Sequence, residues 1–299
     1  MPVFSRPSSR SMILLAVVTA AGLLATACSS GDGMSGMDHG GPASSAAPTS
    51  GHDMPGMAMP SGDGLAAESA GFRFAPETTT LPATQPSAFR FRITGAGGAA
   101  VTAFEPEQTK LMHFYLIRSD LGGFQHLHPT MAPDGTWTAG LAAAQPGKYR
   151  AYAQFTTKDG AGKAVPLVLS QQVTVPGDAP DTPLPAASST TTVDGYTLTL
   201  SGDKLMAGMS HELTVTVAKD GKPVTDLQPY LDTYAHLTGF HAGDQAFAHL
   251  HPHGEVKGEH GGPELKFEAT LPKAGDWRLF VQFRTGGVLH TAAVTLAVS

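Results

Sequence analysis

Hydrophobic and polar positions alternate in short runs along most of this chain. Phe89, Phe91 and Ile93 are separated by Arg90 and Arg92, the period of a strand with one buried face. Trp137, Ala139 and Leu141 alternate in the same way. A turn at Gln145-Pro146-Gly147 leads into a longer run, Tyr149 to Phe155, and Gln171–Val175 closes the set. Beyond residue 190 the order recurs, with strands expected at Tyr196–Ser201, Leu213–Ala218 and Phe267–Leu271. Gly275–Phe283 then answers Gly147–Phe155, with Arg150/Arg278, Tyr152/Phe280, Gln154/Gln282 and Phe155/Phe283 in step. Matching offsets of this kind mark an internal duplication. No run of length carries a helical period. The expected fold is therefore all-β: two tandem antiparallel β-sandwiches, immunoglobulin-like or cupredoxin-like, over 71–177 and 191–299, joined by a Pro-rich linker at 178–190.

The N-terminal part departs from this texture. Residues 1–27 combine Arg6 and Arg10 with an apolar stretch, Met12–Leu24, too short to span a bilayer, and read as a signal peptide. It ends in Leu24-Ala25-Thr26-Ala27-Cys28, which resembles a bacterial lipobox and makes Cys28 the expected lipidation site. The expected location is extracytoplasmic, anchored as a lipoprotein to the outer face of the cytoplasmic membrane. Cys28 is the single cysteine, so no disulfide can form within the chain. Residues 28–70 are low-complexity, without Lys or Arg, and are expected to be a disordered tether. Two clusters stand out there: Met34, Met37 and His39, then His52, Met54, Met57 and Met59. Thioether and imidazole together suit soft and borderline metals, above all Cu(I) and Cu(II).

The net charge is −6 and no basic run occurs, which leaves no electrostatic footprint for nucleic acid. Histidine is the remaining source of chemistry. His113 precedes His126 by thirteen positions, and His128 follows two later; His236, His249 and His251 repeat that spacing in the second half. Two residues apart on a strand, His126 and His128 share a face while Leu127 points to the other. A turn at Asp120–Gly123 would bring His113 back beside them on the neighbouring strand. Each half is thus expected to carry its own metal site, with His290 as a fourth ligand in the second, where the first has Leu169. Met112, His241 and His253 are auxiliary candidates. Arg150, Arg278, Gln154 and Gln282 are expected on exposed sheet faces, with a secondary role behind the ligands as the alternative. Histidines that merely brace turns are the competing reading.

The pattern Met112-His113, Asp120-Leu121, Phe124–Pro129 and Pro146-Gly147-Lys148-Tyr149, with its second appearance from His236 to Pro252, resembles bacterial extracytoplasmic YtkA-like and CopC-like immunoglobulin-type domains. That resemblance implies a β-sandwich connected with copper or heavy-metal handling. The expected function is metal binding, buffering or delivery, with copper as the ion and zinc as the alternative. Expected partners are the membrane, through the lipid anchor, and a metal transporter or acceptor protein. A cell-surface interaction module with structural histidines is the alternative, ahead of a copper metalloenzyme. No Ser/His/Asp elbow, phosphate loop or paired-carboxylate motif is present, and a non-enzymatic role is expected.

Overall fold

The computed structural model describes residues 62–299, His251 by its backbone only. Cys28 and the tail candidates Met34, Met37, His39, His52, Met54, Met57 and Met59 lie outside the described residues.

The first half contains β1 (Glu68–Ser69), β2 (Phe72–Pro76), β3 (Ser87–Thr94), β4 (His113–Arg118), β5 (Gln125–Leu127), β6 (Thr130–Met131), β7 (Trp137–Leu141), β8 (Gly147–Lys158) and β9 (Ala164–Val175). One sheet runs β1-β2-β3-β7-β6 and the facing sheet β5-β4-β8-β9. The second half contains β10 (Thr190–Val193), β11 (Tyr196–Gly202), β12 (Ser210–Lys219), β13 (Lys222–Pro223), β14 (Ala235–His241), β15 (Phe247–Pro252), β16 (Glu264–Thr270), β17 (Gly275–Thr285) and β18 (Val288–Val298). Here the path β10-β11-β12-β16-β15-β14-β17-β18 is continuous, because β15 pairs with β14 and then with β16 through His251 and Pro252. In the first half the corresponding crossover is broken after Leu127, and Thr130–Met131 resumes it against β7.

Each half buries its own core, as the alternation requires. Phe74, Phe89, Phe91, Phe114, Trp137 and Phe155 fill the first, and Leu237, Phe267, Trp277, Leu279 and Phe283 fill the second. Burying a large apolar side chain contributes about 1.5–3 kcal/mol each.

β4 breaks the half-buried pattern, since all six of its residues are buried, and β14 is buried from Ala235 through Phe240. Met112, Phe114 and Leu116 belong to the first core, so His113, Tyr115 and Ile117 point the opposite way. In most sandwiches that outer face meets solvent. Here it meets the other half: Tyr115, Ile117, Leu121, Tyr152 and Val168 form a third apolar cluster with Phe240, Phe247 and Phe280. Phe124 stacks on Phe280 with ring centres 4.1 Å apart. Gln245 donates from Nε2 to the Arg118 carbonyl at 3.1 Å, and the Tyr152 hydroxyl donates to the Gln245 carbonyl. The sheets β5-β4-β8-β9 and β15-β14-β17-β18 therefore pack face to face, and the histidines at one end of this interface are brought together.

A candidate metal centre between the two halves

Register positions the rings. Tyr115 pairs with His126, so continuing the same ladder sets His128 opposite His113. In the second half Thr238 pairs with His249, which sets the His251 backbone opposite His236. Leu127 packs on the first core, leaving His126 and His128 to face the other way. His113, His126 and His128 come together so that one ligand nitrogen from each lies within 4.8 Å of the others. Their ring centres are 5.4, 5.0 and 4.8 Å apart.

Two described rings of the second half lie close to this triad. His236 lies 6.4 Å from His113 and 6.0 Å from His126, ring centre to ring centre, and His249 lies 6.4 Å from His113. Packing of the two outer faces closes the histidine-bearing ends of both sheets on each other, so the described rings of the two halves are neighbours and not two distant sets.

Two reciprocal hydrogen bonds cross the boundary. Gln282 is the cross-strand partner of His236, yet its Oε1 accepts from Nδ1 of His126 at 2.7 Å. Gln154 is the cross-strand partner of His113, and its Nε2 lies 2.9 Å from Nδ1 of His249. Both glutamines are buried rather than exposed on a sheet face. Sequence reading held the means of finding them, for they stand in step opposite His113 and His236. What it lacked was the face-to-face packing that buries them.

Hydrogen bonding to a carbonyl fixes the tautomer of His113. Nε2 of His113 donates to the Glu107 carbonyl at 3.0 Å, because a carbonyl can only accept, so its Nδ1 bears a lone pair. Gln282 lies 3.3 Å from the Thr291 hydroxyl through Nε2 and 2.7 Å from Nδ1 of His126 through Oε1; with the amide set this way, Nδ1 of His126 carries the proton and its Nε2 is bare. Nδ1 of His113 and Nε2 of His126 face each other at 3.1 Å. With a lone pair on each they repel unless a cation lies beside both. Two nitrogens held by one ion at about 2.0–2.1 Å in tetrahedral geometry stand roughly 3.4 Å apart. Nε2 of His128 is buried with no hydrogen-bond partner and completes the triad.

Burial suits these rings to ligation. Removal from water pushes His113 down to about 4 and His128 to about 3, and holds His126 well below the ordinary imidazole value, with neighbouring histidines adding to the effect on His126 and His128. At neutral pH they are uncharged, which is the form that binds a metal. Burial also lifts Glu107 to about 7, against the lowering effect of the hydrogen bond that its Oε1 accepts from Gln154 at 2.9 Å. Glu107 was not among the candidates read from the sequence. Tyr115 stacks on His126 at 4.4 Å and walls the centre on one side.

Other candidates lie elsewhere. His290 pairs across the ladder with Phe283, a core residue one position beyond Gln282, and so points to the opposite face from the centre. It bonds Asp194 through Nδ1 at 2.8 Å and contacts Thr285 Oγ1 at 3.1 Å. Its counterpart in the first half is Leu167, which pairs with Phe155, rather than Leu169. His241, five positions from His236, also lies on the wrong face; its ring is held by Asp244 and the Ala274 carbonyl. Met112 is packed into the first core, and His253 is half exposed near Glu268. The side chain of His251 lies outside the described residues.

A sequence family described as Domain of unknown function (DUF8832) matches residues 67–173 and again 191–299. The chain belongs to that family. The two DUF8832 copies coincide with the two sandwiches, and the match itself says nothing of YtkA-like or CopC-like domains. No curated protein matches the chain significantly. Among solved structures, the adhesin FdeC of Escherichia coli is 17% identical over 76% of this chain and 64% of its own, with a TM-score of 0.25. A DUF4785 family protein from Legionella pneumophila is 12% identical over 74% of this chain and 53% of its own, TM-score 0.27. The N-terminal Ig1-2 module of the Drosophila receptor protein tyrosine phosphatase DLAR is 10% identical over 76% and 97%, TM-score 0.19. This DUF8832 chain spans less than two thirds of the length of the first two.

Proposed function

We propose that this protein binds a single metal ion, copper in first place, between its two halves at His113, His126 and His128, and serves to buffer or hand on that ion. The observation that carries this reading is the convergence of ligand nitrogens of His113, His126 and His128 within 4.8 Å of one another, with Nδ1 of His113 and Nε2 of His126 at 3.1 Å. Neutral imidazoles suit copper and zinc alike. The Met/His-rich composition of residues 28–70 and the CopC-like pattern favour copper, and the lipobox-like segment ending at Cys28 supports a membrane-anchored, extracytoplasmic setting. The role proposed is carriage rather than catalysis. The test is equilibrium dialysis of untagged protein against Cu(II) and Zn(II), wild type beside the His113→Ala/His126→Ala pair. The expected outcome is a loss of one bound ion per chain in the variant, whatever the tail binds. Equal metal content in both proteins would sink the reading.

A second reading keeps the tandem sandwiches as a cell-surface interaction module. It is favoured by the Gln154 and Gln282 bonds, which brace the boundary between the halves without any ion. With the Gln282 amide turned round, Nε2–H of His126 would donate to His113 and the cluster would be an ordinary hydrogen-bonded brace. This reading is in keeping with the surface proteins among the structural neighbours, whose likeness extends to the fold and no further. It expects a chelator to leave the melting temperature unchanged, whereas the metal reading expects it to fall.

A further inference from the structure

Three of the histidines supply the triad, and a tetrahedral ion takes four ligands. We infer that the fourth is Nδ1 of His236, supplied by the opposite half, so that the ion is ligated across the boundary between the two sandwiches. This rests on the metal reading above and extends it from a site within one half to a clamp between both.

His236 is 1% exposed, and its Nε2 donates to the Tyr230 carbonyl at 3.2 Å. That bond repeats the one from His113 to Glu107, six residues upstream in each case, and it leaves the same nitrogen bare. Nδ1 of His236 is buried and makes no hydrogen bond. A buried acceptor without a donor is destabilising, and a ligated cation would offset that cost. An ion about 2.1 Å from a ring nitrogen sits roughly 3.2 Å from the ring centre, so two rings on one tetrahedral ion have centres about 5.2 Å apart. His236 stands 6.4 and 6.0 Å from His113 and His126, so ligation requires its ring to close on the triad by about 1 Å. His249 is the less suited of the two second-half rings described, because its Nδ1 is already engaged by Gln154. Gln282 of the second half already orients the first-half ligand His126 across the same boundary, as the outer partners of metal-bound histidines do.

The experiment loads the full chain with Cu(II) and reads affinity by chelator competition, ligand nitrogens by electron paramagnetic resonance, and the melting temperature with and without the ion. Wild type, His236→Ala, His236→Gln, His126→Ala and His290→Ala are compared. Glutamine at 236 can still donate to the Tyr230 carbonyl while offering no bare imidazole nitrogen, so it separates ligation from folding. The expected result is four coupled nitrogens in wild type and in the His290 variant. Three are expected in His236→Gln, with affinity lowered by at least the roughly tenfold that loss of an outer partner costs. The metal-induced rise in melting temperature should also shrink in that variant. Unchanged affinity and an unchanged nitrogen count in both His236 variants would overturn the inference while leaving the triad standing, provided His126→Ala loses the ion. Absence of a stoichiometric ion in wild type would remove the metal reading itself.

Discussion

Burial holds His113 near 4 and both His128 and His236 near 3, against about 6.5 for a free imidazole. As pH falls through about 6.5 the unfolded chain takes up protons that these folded rings refuse, so acid removes stability over that window. The melting temperature of metal-free protein should therefore drop between pH 7 and pH 4, and calorimetry across that range checks it. Replacing His113 with Gln should flatten the drop. Glu107 has the opposite sign. Its carboxyl is raised from 4.5 to about 7, so the stability tied to it is present below about pH 4.5 and lost as pH rises through 7. Glu107→Gln should stabilise the metal-free protein at pH 8, on the order of 2 kcal/mol, and change little at pH 4.5. A variant no more stable than wild type at pH 8 would show that the carboxyl is better solvated than its position suggests.

The paired strands β8 and β17 set Gln154 and Gln282 opposite the first histidine of their own half while aiming them at the other half. Gln282→Leu would leave the Nδ1–H of His126 buried without an acceptor, at a cost of about 1–3 kcal/mol. It should also weaken metal retention by roughly 10–100-fold. Chemical unfolding and chelator competition on the same sample measure both, and a variant matching wild type in the two would exclude a supporting role. Much of this layer was legible beforehand. Alternation at Phe89–Ile93 and the matched run Gly275–Phe283 foretold the sandwiches and their duplication. The opposed faces of Leu127 and His126 followed from strand parity alone. The place of His290 was not legible, because the register of β17 with β18, which sets it opposite the core residue Phe283 and not beside Gln282, decides its face. The interface itself left one trace, the unbroken apolar character of Phe114–Ile117, which signals burial on both faces without saying what supplies the second cover.

On the scale of the molecule, the third apolar cluster joins what would otherwise be two independent sandwiches. Tyr115, Ile117 and Tyr152 of one half, and Phe240, Phe247 and Phe280 of the other, would be bared if the chain were divided at the linker. Contiguous patches of that kind drive association. Separately produced halves should self-associate, and when mixed they should form a one-to-one complex detectable by sedimentation. Two monomers indifferent to each other would argue against a docked arrangement. Phe124→Ala, which removes the ring stacked on Phe280, should cost about 2 kcal/mol and loosen the pairing of those halves.

The reciprocal glutamine bonds relate the halves as the subunits of a symmetric dimer are related. A dimer built that way would come apart on dilution, and its ligand set with it. Here both partners travel on one polypeptide, so each is always present to the other at the high effective concentration a short linker confers. A centre assembled in this manner stays whole however scarce the protein becomes.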